Sequence, residues 1–282
     1  MSFNNILSKN HQNLNLVAEK ESENYQNGIP FPSIVFENFF DERFLDEIAK
    51  DFPDLSKLDS SQKYMNKNEI KLANNNFDSF PISIKRLIEF LNSDYFLNFL
   101  QKLTSIKEKL IIDPELNGGG LHEIKKGGVL KIHTDFNKHP RKDLDRRLNL
   151  LIYLNKKWNF EYGGDLELWD KDLKECKKKI SPNFNKMVVF STNDYSYHGH
   201  PEPVNCPVGK SRKSLALYYF SKGRPLSELD TEKIKNKTYF KDRFGFKNET
   251  INERGTFKNY LRKFKLYKIV KNIEKKYLRK NK

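Results

Sequence analysis

The sequence predicts an α+β fold, with helices packed on an all-β core, and two observations carry that prediction. Before Gly118-Gly119-Gly120 the apolar residues recur at helical spacing; after it, short apolar runs punctuated by Gly, Pro, Asn and Asp continue to about residue 221. Helices first and strands afterwards is the order of an α+β chain, not of an alternating α/β one. The chain is also large enough to bury a core: it has 282 residues, 37% of them hydrophobic, including 22 Phe and 13 Tyr.

Taken in order, residues 1–29 are polar and rich in Asn, Glu and Lys, and read as a loose lead-in. Residues 31–36 read as a short strand. Residues 41–49 read as a helix whose acidic first turn suits the helix dipole. Residues 55–80 are Asn-, Ser- and Lys-rich and read as loop. Helical periodicity returns at 84–91 and near 96–100. Strands are expected near 121–134, 146–155, 164–169, 186–192, 198–203 and 212–221. There is no internal repeat. The expected organisation is a lead-in over 1–29, a domain over 30–228 and a basic, partly helical extension over 229–282.

No stretch approaches 18 consecutive apolar residues, so no membrane span is expected. The opening residues lack the apolar core of a secretory signal. Cys176 and Cys206 are the two cysteines; they lack CxxC spacing, which excludes a zinc knuckle and argues against a disulfide framework. A reducing, cytoplasmic setting is expected. The net charge of +15 fits a binder of polyanions, but Lys and Asn are abundant along the whole chain, so no nucleic-acid partner is expected. The end of the chain is different. From Phe257 to Lys282, cations alternate with Tyr260, Leu261, Phe264, Leu266, Tyr267, Ile269, Val270, Ile273, Tyr277 and Leu278. That is an amphipathic helix, read either as packed on the core or as a basic anchor touching an anionic surface.

The candidate site begins at His133-Thr134-Asp135. On a strand, His133 and Asp135 share one face and Thr134 faces away, so one metal can take both. A third ligand is offered by His198 or His200, two apart in Tyr197-His198-Gly199-His200-Pro201. His198 is preferred, because it follows the buried-type strand ending at Phe190 and its turn at Thr192-Asn193-Asp194. His200, next to Pro201, is read as lining the site or meeting substrate. His11, His122 and His139 have no partners at useful spacing and default to structural roles. Two imidazoles and a carboxylate form the facial triad that binds non-haem Fe(II) and leaves the opposite positions open. Arg212 opens the apolar run to Phe220 and can hold the far carboxylate of a dicarboxylic co-substrate, with Tyr153 as companion donor. On the strand of Tyr153, simple alternation puts Arg147, Asn149 and Leu151 on the same face. Lys210 and Lys213 compete with Arg212, but the first lies in a turn and the second alternates away.

In combination, His133-Thr134-Asp135, 153–158, 163–168, Phe190 with His198, Pro207-Val208 and Arg212 with 218–220 resemble the Fe(II)/2-oxoglutarate-dependent dioxygenase superfamily, in its prolyl 4-hydroxylase-like branch. The resemblance covers roughly 115–222 well and the preceding helices more loosely. It implies a double-stranded β-helix, or jelly roll, with iron held by His133, Asp135 and His198. It implies that Arg212 and Tyr153 bind the distal carboxylate of 2-oxoglutarate and that Asn149 lies beside that co-substrate. The implied cofactors are Fe(II), with 2-oxoglutarate and O₂ as co-substrates and ascorbate as an optional addition. The implied reaction is hydroxylation of an unactivated C–H bond; Asp135 favours this over halogenation, since related halogenases lack that carboxylate. The substrate stays open between a prolyl residue of a peptide or protein, which the branch suggests, and another residue in a protein. The same chemistry on a glycan, or a non-catalytic jelly roll binding polyanions, is the alternative. A zinc hydrolase with the same ligands would leave Arg212 and Tyr153 unexplained.

Overall fold

The computed structural model describes residues 5–229 and 237–251. The amphipathic stretch from Phe257 to Lys282 lies outside the described residues, as do residues 230–236.

The helices are α1 (Leu14–Gln26), α2 (Glu42–Asp51), α3 (Ile82–Leu91) and α4 (Asp94–Thr104). The strands are β1 (Ser33–Glu37), β2 (Gln62–Met65), β3 (Ile70–Asn74), β4 (Ile111–Ile112), β5 (Gly120–Ile124), β6 (Leu130–Thr134), β7 (Asp145–Tyr153), β8 (Leu166–Trp169), β9 (Cys176–Ile180), β10 (Lys186–Ser191), β11 (Tyr197–His200), β12 (Arg212–Ser221) and β13 (Tyr239–Phe240). Helix starts are sealed by side chains that accept from orphan N–H groups: Asn13 from Leu16, Asp41 from Arg43 and Phe44, and Ser93 from Phe96.

Two antiparallel sheets form. The larger runs β1-β10-β7-β12-β5-β3-β2, with β4 also on β12; the smaller runs β13-β6-β11-β8-β9. Strand alternation gives each sheet two faces. On β7 and β12, Leu148, Leu150, Ile152, Leu215 and Leu217 face outward and join the main core with Leu45, Ile84, Leu87, Phe96 and Leu100 of the helices. The opposite face meets the smaller sheet. There Tyr153, Val188 and Phe190 pack on Leu166, Leu168 and Ile180, and Leu151 packs against them. The two sheets face each other as a jelly roll, and the interior between them holds the candidate site.

Besides β4 and β9, which form where no strand is expected, three regions differ from the sequence expectation. The polar lead-in carries α1, whose buried positions Leu14, Ala18 and Tyr25 are too few to print a strong stripe. The stretch expected as loop over 55–80 contains β2 and β3, a mostly polar pair at the edge of the larger sheet. Past residue 228, β13 pairs antiparallel with β6, Tyr239 opposite Thr134 and Phe240 opposite His133.

Candidate active site

β6 and β11 are neighbours in the smaller sheet, and their register sets His198 directly opposite His133. The two imidazole centroids are 4.5 Å apart. Asp135 lies just past the end of β6 and turns back between them. Its Oδ1 is 3.6 Å from His133 Nε2 and its Oδ2 is 3.5 Å from His198 Nε2. One ligand atom from each of the three residues lies within 4.8 Å of the others.

The backbone decides which nitrogen of each ring is free. His133 Nδ1 donates to the Lys131 carbonyl at 2.8 Å, and His198 Nδ1 donates to the Ser196 carbonyl at 2.9 Å. A carbonyl can only accept, so in the neutral ring the proton sits on Nδ1 and Nε2 keeps its lone pair. Burial pushes His198 down to about 4, against the opposing pull of Asp135, so it stays neutral near pH 7. Burial alone would raise Asp135, but Arg146 and the two imidazoles hold it well below the usual carboxylate range. Two neutral nitrogens and one anionic oxygen on a common locus are the donor set of a non-haem Fe(II) site. Phe190 packs 4.8 Å from the His198 ring and Phe240 5.2 Å from the His133 ring, which limits rotation of both.

Asp135 is itself held from behind. Its Oδ2 accepts from Arg146 Nη2 at 2.9 Å and from Asn149 Nδ2 at 2.8 Å, and Arg146 Nη2 also donates to Asn149 Oδ1 at 3.1 Å. The Arg146 guanidinium is buried and stacks 3.3 Å from the Tyr218 ring centre and 4.5 Å from that of Phe136. Simple alternation on β7 puts Arg147, not Arg146, on the Asn149 face. The structure corrects this through a β-bulge: Tyr219 pairs with Leu148, but Phe220 pairs with Arg146, leaving Arg147 as the extra residue. Arg147 instead bonds Glu108, Ser221 and Glu228. Asn149, expected beside a co-substrate, sits against the triad carboxylate.

Arg212 and Tyr153 also meet. Arg212 Nη2 donates to the Tyr153 hydroxyl at 3.2 Å, and its Nε donates to the Gly164 carbonyl at 2.7 Å. Both residues are buried. Gly164, at φ +76°, is required here, because a Cβ would lie 2.9 Å from Arg212 Cδ. The competing lysines go elsewhere: Lys210 Nζ donates to the Lys157 carbonyl, and Lys213 sits over the Phe52 ring. His200 shares the inward face with His198 and is buried with both ring nitrogens unpaired. Burial, with Arg212 and Lys71 adding to it, holds its pKa well below the ordinary value.

His139 joins Asp113 and Glu115 in a second carboxylate–imidazole group. Arg146 is the site residue that the sequence reading passed over. Its signal was a buried-type charge inside an apolar strand, but its phase could not be read without the bulge.

Residues 119–220 match the family model described as the 2OG-Fe(II) oxygenase superfamily, a span that contains the triad, Tyr153 and Arg212. That superfamily uses Fe(II), 2-oxoglutarate and O₂. Among curated proteins, prolyl 3-hydroxylase OGFOD1 of Mus musculus is 26% identical over 197 residues, 68% of this chain and 33% of the relative. The chain thus matches about a third of that relative's length. A solved prolyl hydroxylase in complex with a hypoxia inducible factor oxygen degradation domain peptide fragment, from Trichoplax adhaerens, superposes with TM-score 0.55. It is 16% identical, with 76% of this chain and 93% of that one covered. A Pseudomonas putida prolyl-4-hydroxylase superposes with TM-score 0.51 at 11% identity, over 73% of this chain and all (100%) of the other. A prolyl 4-hydroxylase from Phytophthora capsici gives TM-score 0.52 at 17% identity, over 78% and 70%. These likenesses establish the jelly-roll fold.

Proposed function

We propose that this chain, which carries a 2OG-Fe(II) oxygenase domain over residues 119–220, hydroxylates a prolyl residue of a peptide or protein substrate. The observation that carries this reading is a single interior that joins two parts. One is a pair of Nε2 lone pairs facing an ionised carboxylate; the other is a buried arginine–tyrosine pair on the facing sheet. The prolyl substrate is supported by the relative and by the three solved structures described above, each named a prolyl hydroxylase.

His133, Asp135 and His198 would hold Fe(II). Bound there, the ion with 2-oxoglutarate and O₂ supplies the oxidising chemistry: decarboxylation to succinate and CO₂, with one oxygen atom inserted into a substrate C–H bond. The protein's own share is positional. The Lys131 and Ser196 carbonyls keep both imidazoles in the ligating tautomer. Arg146 and Asn149 occupy Asp135 Oδ2, which turns Oδ1 toward the site and keeps the carboxylate ionised. Arg212 has five N–H donors and spends two of its bonds on Gly164 and Tyr153, so donors remain for the distal carboxylate of 2-oxoglutarate. Tyr153 adds a hydroxyl, while Leu168, Val188 and Phe190 form the dry wall that excludes water.

The test is succinate formation from 2-oxoglutarate with Fe(II), with and without proline-containing peptides, followed by mass analysis of the peptide. The reading requires iron-dependent turnover stimulated by a prolyl peptide and a gain of one oxygen atom on proline. Turnover stimulated by glycans alone would keep the chemistry and remove the prolyl substrate.

A further inference from the structure

We propose that His200 is a further co-substrate-binding residue, donating an imidazole N–H to the distal carboxylate of 2-oxoglutarate alongside Arg212 and Tyr153. The inference rests on the co-substrate reading above and adds a donor to it. The register of β11 with β6 shifts between His198, opposite His133, and His200, opposite Leu130; the extra residue lies on β6, so β11 keeps its alternation and His200 stays on the inward face of His198. Between them, Gly199 is pressed onto β6: a Cβ there would lie 2.6 Å from the Leu130 carbonyl oxygen and 2.9 Å from that of Lys131. β11 therefore lies tight on β6 here, with no room for a side chain between the two histidines.

That ring is 3% exposed, and neither Nδ1 nor Nε2 has a hydrogen-bond partner. The Glu202 carbonyl is close enough to act on the ring's charge but does not reach bonding geometry. Native interiors rarely leave such atoms unpaired without a ligand, an ion or a water to meet them. The segment that leaves His200 runs past the arginine: a Cβ on Gly164 would lie 2.9 Å from Arg212 Cδ and 3.1 Å from Val204 Cγ2, and Arg212 and His133 both act on the His200 ring. A second enclosed imidazole nitrogen lies in the same region. His122 sits opposite Ser214 on β5, facing inward beside Arg212, and its Nε2 is also unpaired. An imidazole presents at least one N–H in either tautomer. A spare imidazole N–H beside a guanidinium asks for an acceptor with several lone pairs, and a carboxylate provides four.

The test uses the full chain loaded with Mn(II) in the absence of O₂, so binding is read without turnover. Mn(II) stoichiometry and melting temperature are first recorded for wild type, His200→Val and His200→Gln. Each is then titrated calorimetrically with 2-oxoglutarate and, by competition, with pyruvate. Pyruvate carries the same 2-oxo acid end and lacks the distal carboxylate. We expect His200→Val to weaken 2-oxoglutarate about tenfold, the size of a lost hydrogen bond to a charged group, with pyruvate unchanged. His200→Gln should recover most of the loss. Unchanged 2-oxoglutarate binding in His200→Val would overturn the proposal and leave an ordered water as the ring's partner. Equal weakening of both acids would overturn it too, because that is loss of pocket shape. Wild type that binds Mn(II) but not 2-oxoglutarate would remove the co-substrate reading itself, and this inference with it.

Discussion

Two groups in this molecule bring imidazole and carboxylate together, and they are wired in opposite senses. In the triad, His133 and His198 donate from Nδ1 to backbone carbonyls, so the Nε2 lone pairs face the interior. In the second group, His139 Nδ1 accepts from the backbone N–H groups of Arg141 at 3.1 Å and Lys142 at 3.0 Å. Its proton therefore sits on Nε2, which points at Asp113 Oδ1, 3.4 Å away. The partners differ as well. Asp113 accepts from Glu115 N, Asn117 N and Asn117 Nδ2, while Glu115 pairs with Arg141. Burial would raise the Asp113 pKa, but the Asn117 side chain and the backbone donors hold it below the usual range. The same residue types, equally close together, present two free Nε2 lone pairs to the interior in one place and clamp a loop in the other. The backbone atom behind each ring makes the difference.

The largest expected effects break the first half of that comparison. His133→Ala, Asp135→Ala and His198→Ala should each reduce iron-dependent succinate formation to background and lower the bound-metal content. A variant of this set that keeps full turnover would show the triad to be misassigned. Removing the support behind Asp135 should cost less. Arg146→Met or Asn149→Ala should weaken metal affinity by roughly 10–100-fold, as changes behind a ligand do, read by metal titration. Wild-type affinity in both would mean that Asp135 is oriented by the chain alone. Smaller again is Arg212→Ala. It should raise the 2-oxoglutarate requirement by roughly tenfold or more, from a contact of about 1.5–3 kcal/mol, and Tyr153→Phe should act in the same direction by less. An unchanged KM for 2-oxoglutarate in Arg212→Ala would place the anchor elsewhere. The mildest test for activity is His139→Ala. It should keep metal content and turnover while lowering stability by about 1–3 kcal/mol in denaturant unfolding, since Asp113 loses a buried partner. Loss of metal in His139→Ala would erase the distinction between the two groups.

Part of the site is legible from strand alternation and spacing, although Asp135 itself lies just past the end of β6. His133 and Asp135 lie two apart, His198 follows the Phe190 strand at turn length, and Arg212 heads an apolar run. What stayed hidden breaks alternation or lacks contrast. Arg146 reaches Asp135 only because the bulge on β7 shifts the phase, and one extra residue in a ladder leaves no mark in the order of side chains. On β9, Cys176-Lys177-Lys178-Lys179-Ile180 pairs by backbone while its lysines run along the edge, so a charged strand reads as loop. The polar pair β2 and β3 was missed for the same reason. Spacing alone treats His122 and His139 alike, as structural. In the structure His139 accepts from the Arg141 and Lys142 backbone and faces Asp113, whereas His122 turns inward beside Arg212 because its pairing with Ser214 fixes its face.

The pairing of β13 with β6 bears on the order in which the molecule can be completed. Residues 68–70 already cover the start of β6 at Leu130 and Lys131; without Tyr239–Phe240 its second half, carrying a triad histidine, would be an open edge, the kind that recruits other chains. The segment that follows is tied down on the same side, with Arg243 bonded to Glu249 and Glu202, and Glu249 to Lys131. During synthesis the N-terminal helices and both sheets emerge first, and the cover over His133 emerges after them. A ribosome that releases the chain before residue 240 therefore delivers a nearly whole jelly roll in which the strand of His133 is still looking for a neighbour.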